Sequence, residues 1–117
     1  MIIGYKDLKN YRRKVAMVDG AFDPLHHGHV EYFTHARETA GPLLCNIAPD
    51  SYTAAKHPPL LPAPQRARVI DALKPIDYVH VSPVDTETVL RELQPTSVEA
   101  SRLPSTRTRP SALLRSR

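Results

Sequence analysis

Apolar runs alternate along this chain with segments in which apolar residues recur every three or four positions. The runs are typical of strands buried on both faces of a parallel sheet, and they cover residues 14–18, 43–48 and 77–81. The periodic segments are typical of amphipathic helices, and they cover residues 30–40, 64–73 and 86–93, after a short lead-in helix at 6–14. Strands that alternate with helices predict an α/β fold with a doubly wound parallel sheet and right-handed crossovers.

Residues at the helix boundaries support this assignment. Gly41 and Pro42 close the first helix. Pro64 suits the first position of the second, where its missing N–H is not needed, and Asp85 can cap the third. The predicted buried faces are Val30, Phe33, Ala36 and Ala40 in the first helix, Val69, Ile70 and Leu73 in the second, and Val89, Leu90 and Leu93 in the third.

The pattern changes after Pro95. Residues 96–117 are rich in Ser, Thr, Arg and Pro, with Leu113-Leu114 as the only apolar pair. This composition favours disorder over a packed core. We therefore predict a folded domain over 1–95 and a tail over 96–117 that is disordered or a truncated end. Three strands make a thin sheet for this kind of fold, which normally has roughly five or six, so the sheet is predicted to be incomplete on its C-terminal side.

Composition places the chain among ordinary single-domain proteins, with 117 residues of which 41% are hydrophobic and 24% charged. No apolar stretch approaches the roughly 20 residues that a membrane-spanning helix needs, and the N-terminus lacks a basic-then-apolar leader. No membrane partner is therefore predicted. Cys45 is the single cysteine, so no intrachain disulfide can form, and we predict a reducing, cytoplasmic location.

The net charge of +4 lies in the predicted tail. Residues 1–100 hold 11 Lys and Arg against 12 Asp and Glu, whereas residues 101–117 hold five Arg and no acid. The body is therefore nearly neutral, and it lacks a basic stripe with interleaved aromatic residues. A nucleic-acid partner is not predicted.

One string of residues stands between the first strand and the first helix: Gly20-Ala21-Phe22-Asp23-Pro24-Leu25-His26-His27-Gly28-His29. Gly20 lets the chain turn sharply, and Gly28 allows a ligand to approach the backbone. The first-turn amides of the following helix lack intrahelical partners and carry partial positive charge, which makes them a natural phosphate site. His26 and His29 stand about one helical turn apart, so both imidazoles can face the same anion and donate hydrogen bonds to it.

Two other interpretations of these histidines are weaker. A single histidine near a helix start is commonly a capping or surface residue. A metal site is disfavoured because neighbouring His26 and His27 point apart and no cluster of Cys or carboxylate residues accompanies them. No protein ligands for a metal are therefore predicted.

The whole string resembles the G-x-F-D-x-x-H-x-G-H signature of the cytidylyltransferase-like nucleotidyltransferases. That superfamily includes glycerol-3-phosphate cytidylyltransferase, archaeal-type FAD synthetase and the adenylyltransferase half of bacterial heptose-phosphate enzymes. The similarity continues through the loop at 50–56, Gln65-Arg66 and residues 77–95, the last of which are most like the heptose-phosphate branch. The resemblance implies a Rossmann-like fold and a nucleotidyltransferase enzyme.

The reaction that the resemblance implies is attack by a phosphate oxygen of a small phosphorylated sugar or polyol on the α-phosphorus of ATP or CTP. Pyrophosphate would leave together with Mg²⁺. The catalytic residues would be His26, His29 and Lys56. Nucleotide binding would fall to Gly20, Ala21, Phe22, His26, His27, Gly28, His29 and Arg66, and substrate binding to Asp50 and Lys56. Related enzymes are often dimers, so a homodimer is a further expectation.

Several of these roles have ordinary structural alternatives. Lys56 could be a solvated loop lysine, and Arg66 could be a surface residue in the first turn of its helix. Asp50 could cap its loop rather than contact substrate. Asp23 could orient the turn or His26.

The chain also departs from the family pattern. His57-Pro58 stands where the family has a basic residue before a proline, and the Lys-Gly segment expected after the third helix is absent. Ser105-Thr106 and Thr108 only loosely resemble the Ser/Thr-rich helix start that holds the triphosphate from the other side. The alternative prediction is therefore a truncated nucleotide-binding module with little or no catalytic turnover.

Overall fold

A sheet of parallel strands organises the part of the chain that the computed structural model describes, which is residues 1–22, 25–49 and 61–99. The strands are β1 (Ile2–Ile3), β2 (Ala16–Gly20), β3 (Leu43–Ile47) and β4 (Tyr78–Val81). The helices are a 3-10 helix (Tyr5–Tyr11), α1 (His27–Ala40), α2 (Ala63–Asp71) and α3 (Thr86–Leu93). The strand order is β1-β4-β3-β2 with every neighbouring pair parallel, which confirms the predicted α/β, Rossmann-like fold.

One edge of the sheet holds a strand that the sequence pattern does not predict. In β1, Ile2 pairs with Val79 and Ile3 pairs with His80. Two residues are too few to produce a periodic signal, so the prediction of only three strands was wrong.

At the opposite edge, residues 96–99 run parallel to β2. The buried hydroxyl of Tyr32 on α1 also donates to the Glu99 carbonyl at 2.5 Å. Strand pairing thus continues beyond the predicted domain boundary at Pro95. The residues after Glu99 lie outside the described ones, so the predicted disordered tail stays a prediction there. The backbone hydrogen bonds run from Thr96 N to Val15 O at 2.8 Å, from Met17 N to Ser97 O at 2.9 Å and from Glu99 N to Met17 O at 2.9 Å.

Side chains of the strands alternate between two apolar clusters, one on each face of the sheet. In β2, Ala16 and Val18 belong to the first cluster, which α1 and α2 cover. Met17 belongs to the second, which the 3-10 helix and α3 cover. Cys45 is fully buried in the first cluster, where it packs, and burial raises the pKa of its thiol.

The buried face of α2 differs from the prediction. Val69 is 48% exposed, so its predicted inward position was wrong, whereas Ile70 is buried as expected. The stripe that faces the core is Ala63, Arg66, Ala67 and Ile70. Its spacing is helical, but a search for apolar residues does not count an arginine as part of a buried face.

The ends of the other two helices follow local capping chemistry. Helix α1 begins at His27, earlier than predicted, and its buried face includes Tyr32 while Val30 is only partly buried. Helix α3 spans the predicted residues, and the Asp85 carboxylate accepts from the Thr88 N–H at 2.9 Å, which confirms the predicted cap. Within the described residues, no helix is long and apolar enough to cross a membrane.

Candidate functional site

The carboxyl end of β2 is the point where the sheet reverses its winding direction. The chain leaves β2 through α1 on one face to reach β3, and it arrives at residues 96–99 through α3 on the other face. Ligands of open parallel sheets bind in the crevice at such a reversal, outside the carboxyl ends of the strands. The turn that follows Gly20 therefore starts where the fold favours a ligand.

Phe22 and Gly20 pack on each other at the start of this turn. Phe22 has a φ of 52°, in the left-handed region that bulky residues rarely occupy. Its ring lies over Gly20, where an added Cβ would be 3.0 Å from the Phe22 Cζ atom. The φ of Gly20 is not positive, so this glycine needs no left-handed backbone, and its role in a sharp turn stays a prediction. The missing side chain of Gly20 makes room for the Phe22 ring. Because Phe22 is only 6% exposed, we expect a ligand to contact the backbone here and not the ring.

His26 caps α1 with its own side chain. Its Nδ1 accepts from the Gly28 N–H at 3.0 Å, and the His29 Nδ1 accepts from the His26 N–H at 3.1 Å. These reciprocal bonds satisfy donors that a helix start otherwise leaves open. The first turn therefore offers fewer free backbone amides to a phosphate than predicted, because Gly28 already donates to the cap.

The cap also fixes the hydrogen positions on both imidazoles. A neutral imidazole has one donor and one acceptor nitrogen. Because the Nδ1 of His26 and the Nδ1 of His29 both accept, each ring carries its proton on Nε2. The ring centroids are 4.0 Å apart and the planes meet at 39°. The structure thus brings together the two donors that the sequence predicts at the helix start.

His29 is held in its neutral form. Partial burial lowers its pKa, and the neighbouring His26 lowers it further. The His29 ring meets the edge of Phe22 at a centroid distance of 5.2 Å and lies 6.5 Å from Phe33. A bound anion would oppose this shift, since nearby negative charge favours the imidazolium form.

The side chain of His27 points away from this pair of histidines. Its Nε2 lies 2.7 Å from Glu31 Oε2, and the two side chains are 84% and 70% exposed. The nucleotide contact that the motif predicts for His27 would therefore have to come from its backbone atoms.

Arg66 is buried rather than on the surface. Its Nε donates to Leu61 O at 3.0 Å, and its Nη1 donates to Ala21 O at short range. The alternative of a surface arginine was therefore wrong. The guanidinium joins α2 to the first residue of the turn, which gives it a role in holding the turn whether or not it also contacts phosphate.

Several residues that the sequence singles out lie outside the described residues, including His57-Pro58, Ser105-Thr106 and Thr108. Lys56 and Asp50, the predicted substrate contacts, lie outside the described residues, and so does Asp23. Their roles stay predictions.

A row of polar side chains that the sequence did not predict crosses the carboxyl ends of three strands. Asp19, Asn46 and His80 are register partners on β2, β3 and β4, and we call them the polar ladder. The Asn46 amide donates to Asp19 Oδ1 at 2.7 Å, and the Thr86 hydroxyl at the start of α3 donates to Asp19 Oδ2 at 3.1 Å. Asn46 and His80 are polar residues within apolar runs and Asp19 directly follows one, which is the one signal that the sequence carries.

His80 ends the polar ladder with the opposite tautomer from the capping histidines. Its Nδ1 is 2.8 Å from Asn46 Oδ1. That oxygen can only accept, so Nδ1 carries the proton and Nε2 is an acceptor. Burial lowers the His80 pKa to about 4. Within the described part of the chain His80 Nε2 has no hydrogen-bond partner, an arrangement that typically costs about 1–3 kcal/mol.

Comparison with known families identifies the family of this chain. The family model described as cytidylyltransferase-like matches residues 17–105, which include β2, the turn, all three α helices and the segment beside β2. The chain belongs to the cytidylyltransferase-like family.

Similar individual proteins come from two branches of that family. It is similar to the FAD synthase of Methanolacinia petrolearia, with 37% identity over 83 residues that cover 70% of this chain and 56% of that protein. It is also similar to the bifunctional protein HldE of Pectobacterium atrosepticum, with 41% identity over 69 residues, 56% of this chain and 14% of that protein. The chain therefore spans little more than half the length of the FAD synthase.

A solved structure supports the fold. The lipopolysaccharide core biosynthesis protein from Thermoplasma volcanium superposes with a TM-score of 0.65 and 25% sequence identity. The match covers 73% of this chain and 71% of that protein.

Proposed function

We propose that this protein transfers a nucleotidyl group, AMP or CMP, from ATP or CTP to a small phosphorylated sugar or polyol, with release of pyrophosphate. The observation that carries the proposal is the pair of Nε2–H donors on His26 and His29 at the start of α1. The two donors sit at the crevice where the fold favours a ligand, and membership of the family supports the reaction class.

The transfer is a direct displacement at the α-phosphorus. A phosphate oxygen of the acceptor forms the new O–P bond while the bond to the bridging oxygen of pyrophosphate breaks, and no covalent enzyme intermediate is needed. Negative charge grows on the transferring phosphoryl oxygens and on the leaving group. Donors that already point at that position stabilise the transition state without reorganising. His26 and His29 supply such donors, and the cap fixes their orientation before the nucleotide arrives.

A neutral histidine suits this task as a hydrogen-bond donor. Partial burial and the neighbouring His26 lower the pKa of His29, which favours the neutral ring whose Nδ1 accepts from the His26 N–H and whose Nε2–H can donate to a phosphate oxygen. The negative charge of a bound triphosphate strengthens the hydrogen bond that the neutral Nε2–H donates to it.

Mg²⁺ is proposed to arrive with the triphosphate. The donor set at the turn consists of imidazole N–H and backbone N–H groups, which fit phosphate oxygens rather than a cation. Residues 1–22, 25–49 and 61–99 contain no group of three or more His, Cys, Asp or Glu that could hold a metal ion. The phosphates would therefore supply most of its ligands, and the ion would neutralise charge on the departing pyrophosphate.

The remaining assignments are parts of the same proposal. Lys56 would close over the phosphates from its loop, and Asp50 would contact the acceptor. Arg66 would act through the Ala21 carbonyl that it binds, by holding the start of the turn. A homodimer and a cytoplasmic location stay predictions from sequence.

The acceptor is proposed from the relatives. Relatives named FAD synthase suggest an acceptor that belongs to the flavin nucleotides, and the resemblance of residues 77–95 to the heptose-phosphate branch suggests a sugar phosphate. A second candidate function is a nucleotide-binding module with little or no turnover. It is favoured by a departure from the family pattern within the chain, where His57-Pro58 stands in place of a basic residue before a proline.

Two measurements on the full chain test the proposal. The first is pyrophosphate release from ATP or CTP with Mg²⁺ and each of FMN, glycerol 3-phosphate and a hexose phosphate. The second is calorimetric titration with each nucleotide alone. Transfer supports the proposal, and binding without transfer favours the second candidate.

A matched pair of variants assigns the site. The double variant His26→Ala, His29→Ala removes both donors, and His35→Ala removes an exposed histidine on the same helix. We expect the double variant to lower transfer by about a thousandfold or more, since a single such donor is worth 10²–10³ in rate. The His35 variant should match the natural chain. If the double variant keeps the nucleotide affinity and the transfer rate of the natural chain, the proposal is wrong.

A further inference from the structure

The polar ladder has a direction, which its hydrogen bonds define. His80 donates to Asn46, and Asn46 donates to Asp19. Thr86 donates to Asp19 from the opposite side. All three bonds lead toward the Asp19 carboxylate, so the neighbours of Asp19 hold its position.

Burial differs sharply along the polar ladder. Asn46 is 1% exposed and His80 is 0% exposed, whereas Asp19 is partly exposed. The carboxylate is therefore the one member of the polar ladder that a ligand can reach without rearrangement. It stands directly before Gly20, at the carboxyl end of β2, where the winding of the sheet reverses.

Among residues 1–22, 25–49 and 61–99, no cation forms an ion pair with the Asp19 carboxylate. Within the same ranges its oxygens bond to an amide and a hydroxyl. A carboxylate has about four lone-pair positions, and each oxygen of Asp19 spends one on these bonds. Acceptor positions therefore remain on a fixed, negatively charged group at the crevice.

The buried end of the polar ladder is the second observation. Among the residues that the structure describes, the buried His80 Nε2 has no hydrogen-bond partner, and such a group in a folded protein needs a reason other than stability. The explanation that fits the bond directions is that His80 is retained for its Nδ1–H, which orients the Asn46 amide toward Asp19.

We infer that Asp19 binds the free hydroxyl groups of the acceptor, and that Asn46, His80 and Thr86 are positioning residues that hold its carboxylate. The inference rests on the proposed function, because it concerns the acceptor of the same transfer. A carboxylate repels the acceptor phosphate and attracts hydroxyl donors. The phosphate of the acceptor would therefore lie toward α1 and its hydroxylated chain toward α3, so the substrate class is a polyhydroxylated phosphate ester rather than a simple alkyl phosphate.

The test compares ribitol 5-phosphate with pentyl phosphate. Both have five-carbon chains, but only ribitol 5-phosphate carries free hydroxyl groups. Binding of each to the full chain is measured by calorimetry with Mg²⁺ and a non-hydrolysable α,β-methylene analogue of ATP. We expect ribitol 5-phosphate to bind at least about tenfold more tightly, as a hydrogen bond to a charged group predicts.

Variants assign that preference to Asp19. Asp19→Asn keeps the shape and removes the charge, and the preference should fall below about threefold while affinities for pentyl phosphate and the ATP analogue stay within about twofold. General damage to the fold would instead lower all three affinities. Glu87→Gln, which neutralises an exposed carboxylate in the first turn of α3, is the control and should change none of them.

The positioning residues have milder variants. His80→Phe and Thr86→Val each remove one bond of the network, so each should lose part of the preference and leave binding of the ATP analogue intact. If neither has an effect, the positioning role is overturned although the contact by Asp19 stands.

The outcomes separate the two proposals. Equal binding of the two phosphates by the natural chain, or a preference that survives Asp19→Asn, overturns the inference and leaves the proposed function in place. Failure of the natural chain to bind either the ATP or the CTP analogue overturns the proposed function, and the inference with it.

Discussion

The helix cap and the polar ladder use histidine in opposite ways. In the cap, the Nδ1 atoms of His26 and His29 accept backbone hydrogen bonds, so their Nε2 atoms donate. In the polar ladder, His80 Nδ1 donates to Asn46, so its Nε2 accepts. The same side chain thus presents opposite hydrogen-bond polarity because of a single fixed neighbour. Exposure completes the contrast, since the cap stands at an open helix start and His80 is wholly buried.

The largest expected effect separates the two jobs of His26. His26→Ala removes both the cap and the Nε2 donor, so we expect transfer to fall about a hundredfold and the free energy of unfolding to fall by about 1 kcal/mol. His26→Asn restores a good N-cap without that donor, so it should recover stability and not transfer. Pyrophosphate release and urea unfolding measure the two quantities. Recovery of transfer in the Asn variant would show that the cap matters rather than the donor.

Breaking the middle of the polar ladder should mainly affect stability. Asn46→Leu leaves the buried His80 Nδ1–H without its acceptor and takes one donor from Asp19, so we expect the free energy of unfolding to fall by about 2–3 kcal/mol. Combining it with His80→Leu removes the orphaned donor, so the double variant should be more stable than the sum of the two single losses predicts. Urea denaturation of the single and double variants checks this. Strict additivity would mean that the two side chains are not coupled.

The pH dependence of stability distinguishes the buried histidine from the capping pair. The His80 pKa is about 4 in the folded protein, below the ordinary 6.5, so the unfolded chain binds more protons between these values. His80 therefore contributes stability above pH 6.5 that is lost as the pH falls towards 4, by up to about 1.4 kcal/mol per pH unit.

His29 acts in the same direction because its pKa is also lowered. Melting curves of the natural chain, His80→Phe and His29→Ala between pH 4 and 7 should assign the larger part of the slope to His80. An unchanged slope in His80→Phe would contradict this assignment.

The smallest expected effect is at His27, although it lies inside the motif. Its side chain and that of Glu31 are largely exposed, and exposed ion pairs of this spacing are worth less than about 0.5 kcal/mol. His27→Ala should therefore leave transfer within about twofold of the natural chain. A large loss of transfer would show that the His27 side chain reaches the nucleotide after all.

Much of the fold could be predicted because its signals are local. Apolar runs marked β2, β3 and β4, and Asp85 marked the start of α3. Features that depend on distant partners were missed. The two residues of β1 are too few to show a hydrophobic periodicity. Residues 96–99 have a largely polar sequence although their backbone pairs with β2.

The site shows the same division. The histidine pair followed from its spacing, whereas the burial of Arg66 depends on carbonyls of Leu61 and Ala21 that only the folded chain brings near. The polar ladder depends on strand register, which sets Asp19 beside Asn46 and is not contained in either strand alone.

The hydrogen bond from Tyr32 to the Glu99 carbonyl has a practical consequence for shortened forms of this protein. A chain that stopped at Pro95 would lose the hydrogen-bond partners of the Met17 amide and of the Val15 and Met17 carbonyls. The Tyr32 hydroxyl would also lose its acceptor, the Glu99 carbonyl. The flank of β2 would become an open edge, which is a template for pairing with another molecule. Expression of anything shorter than the first 99 residues should therefore yield aggregates rather than a smaller working domain.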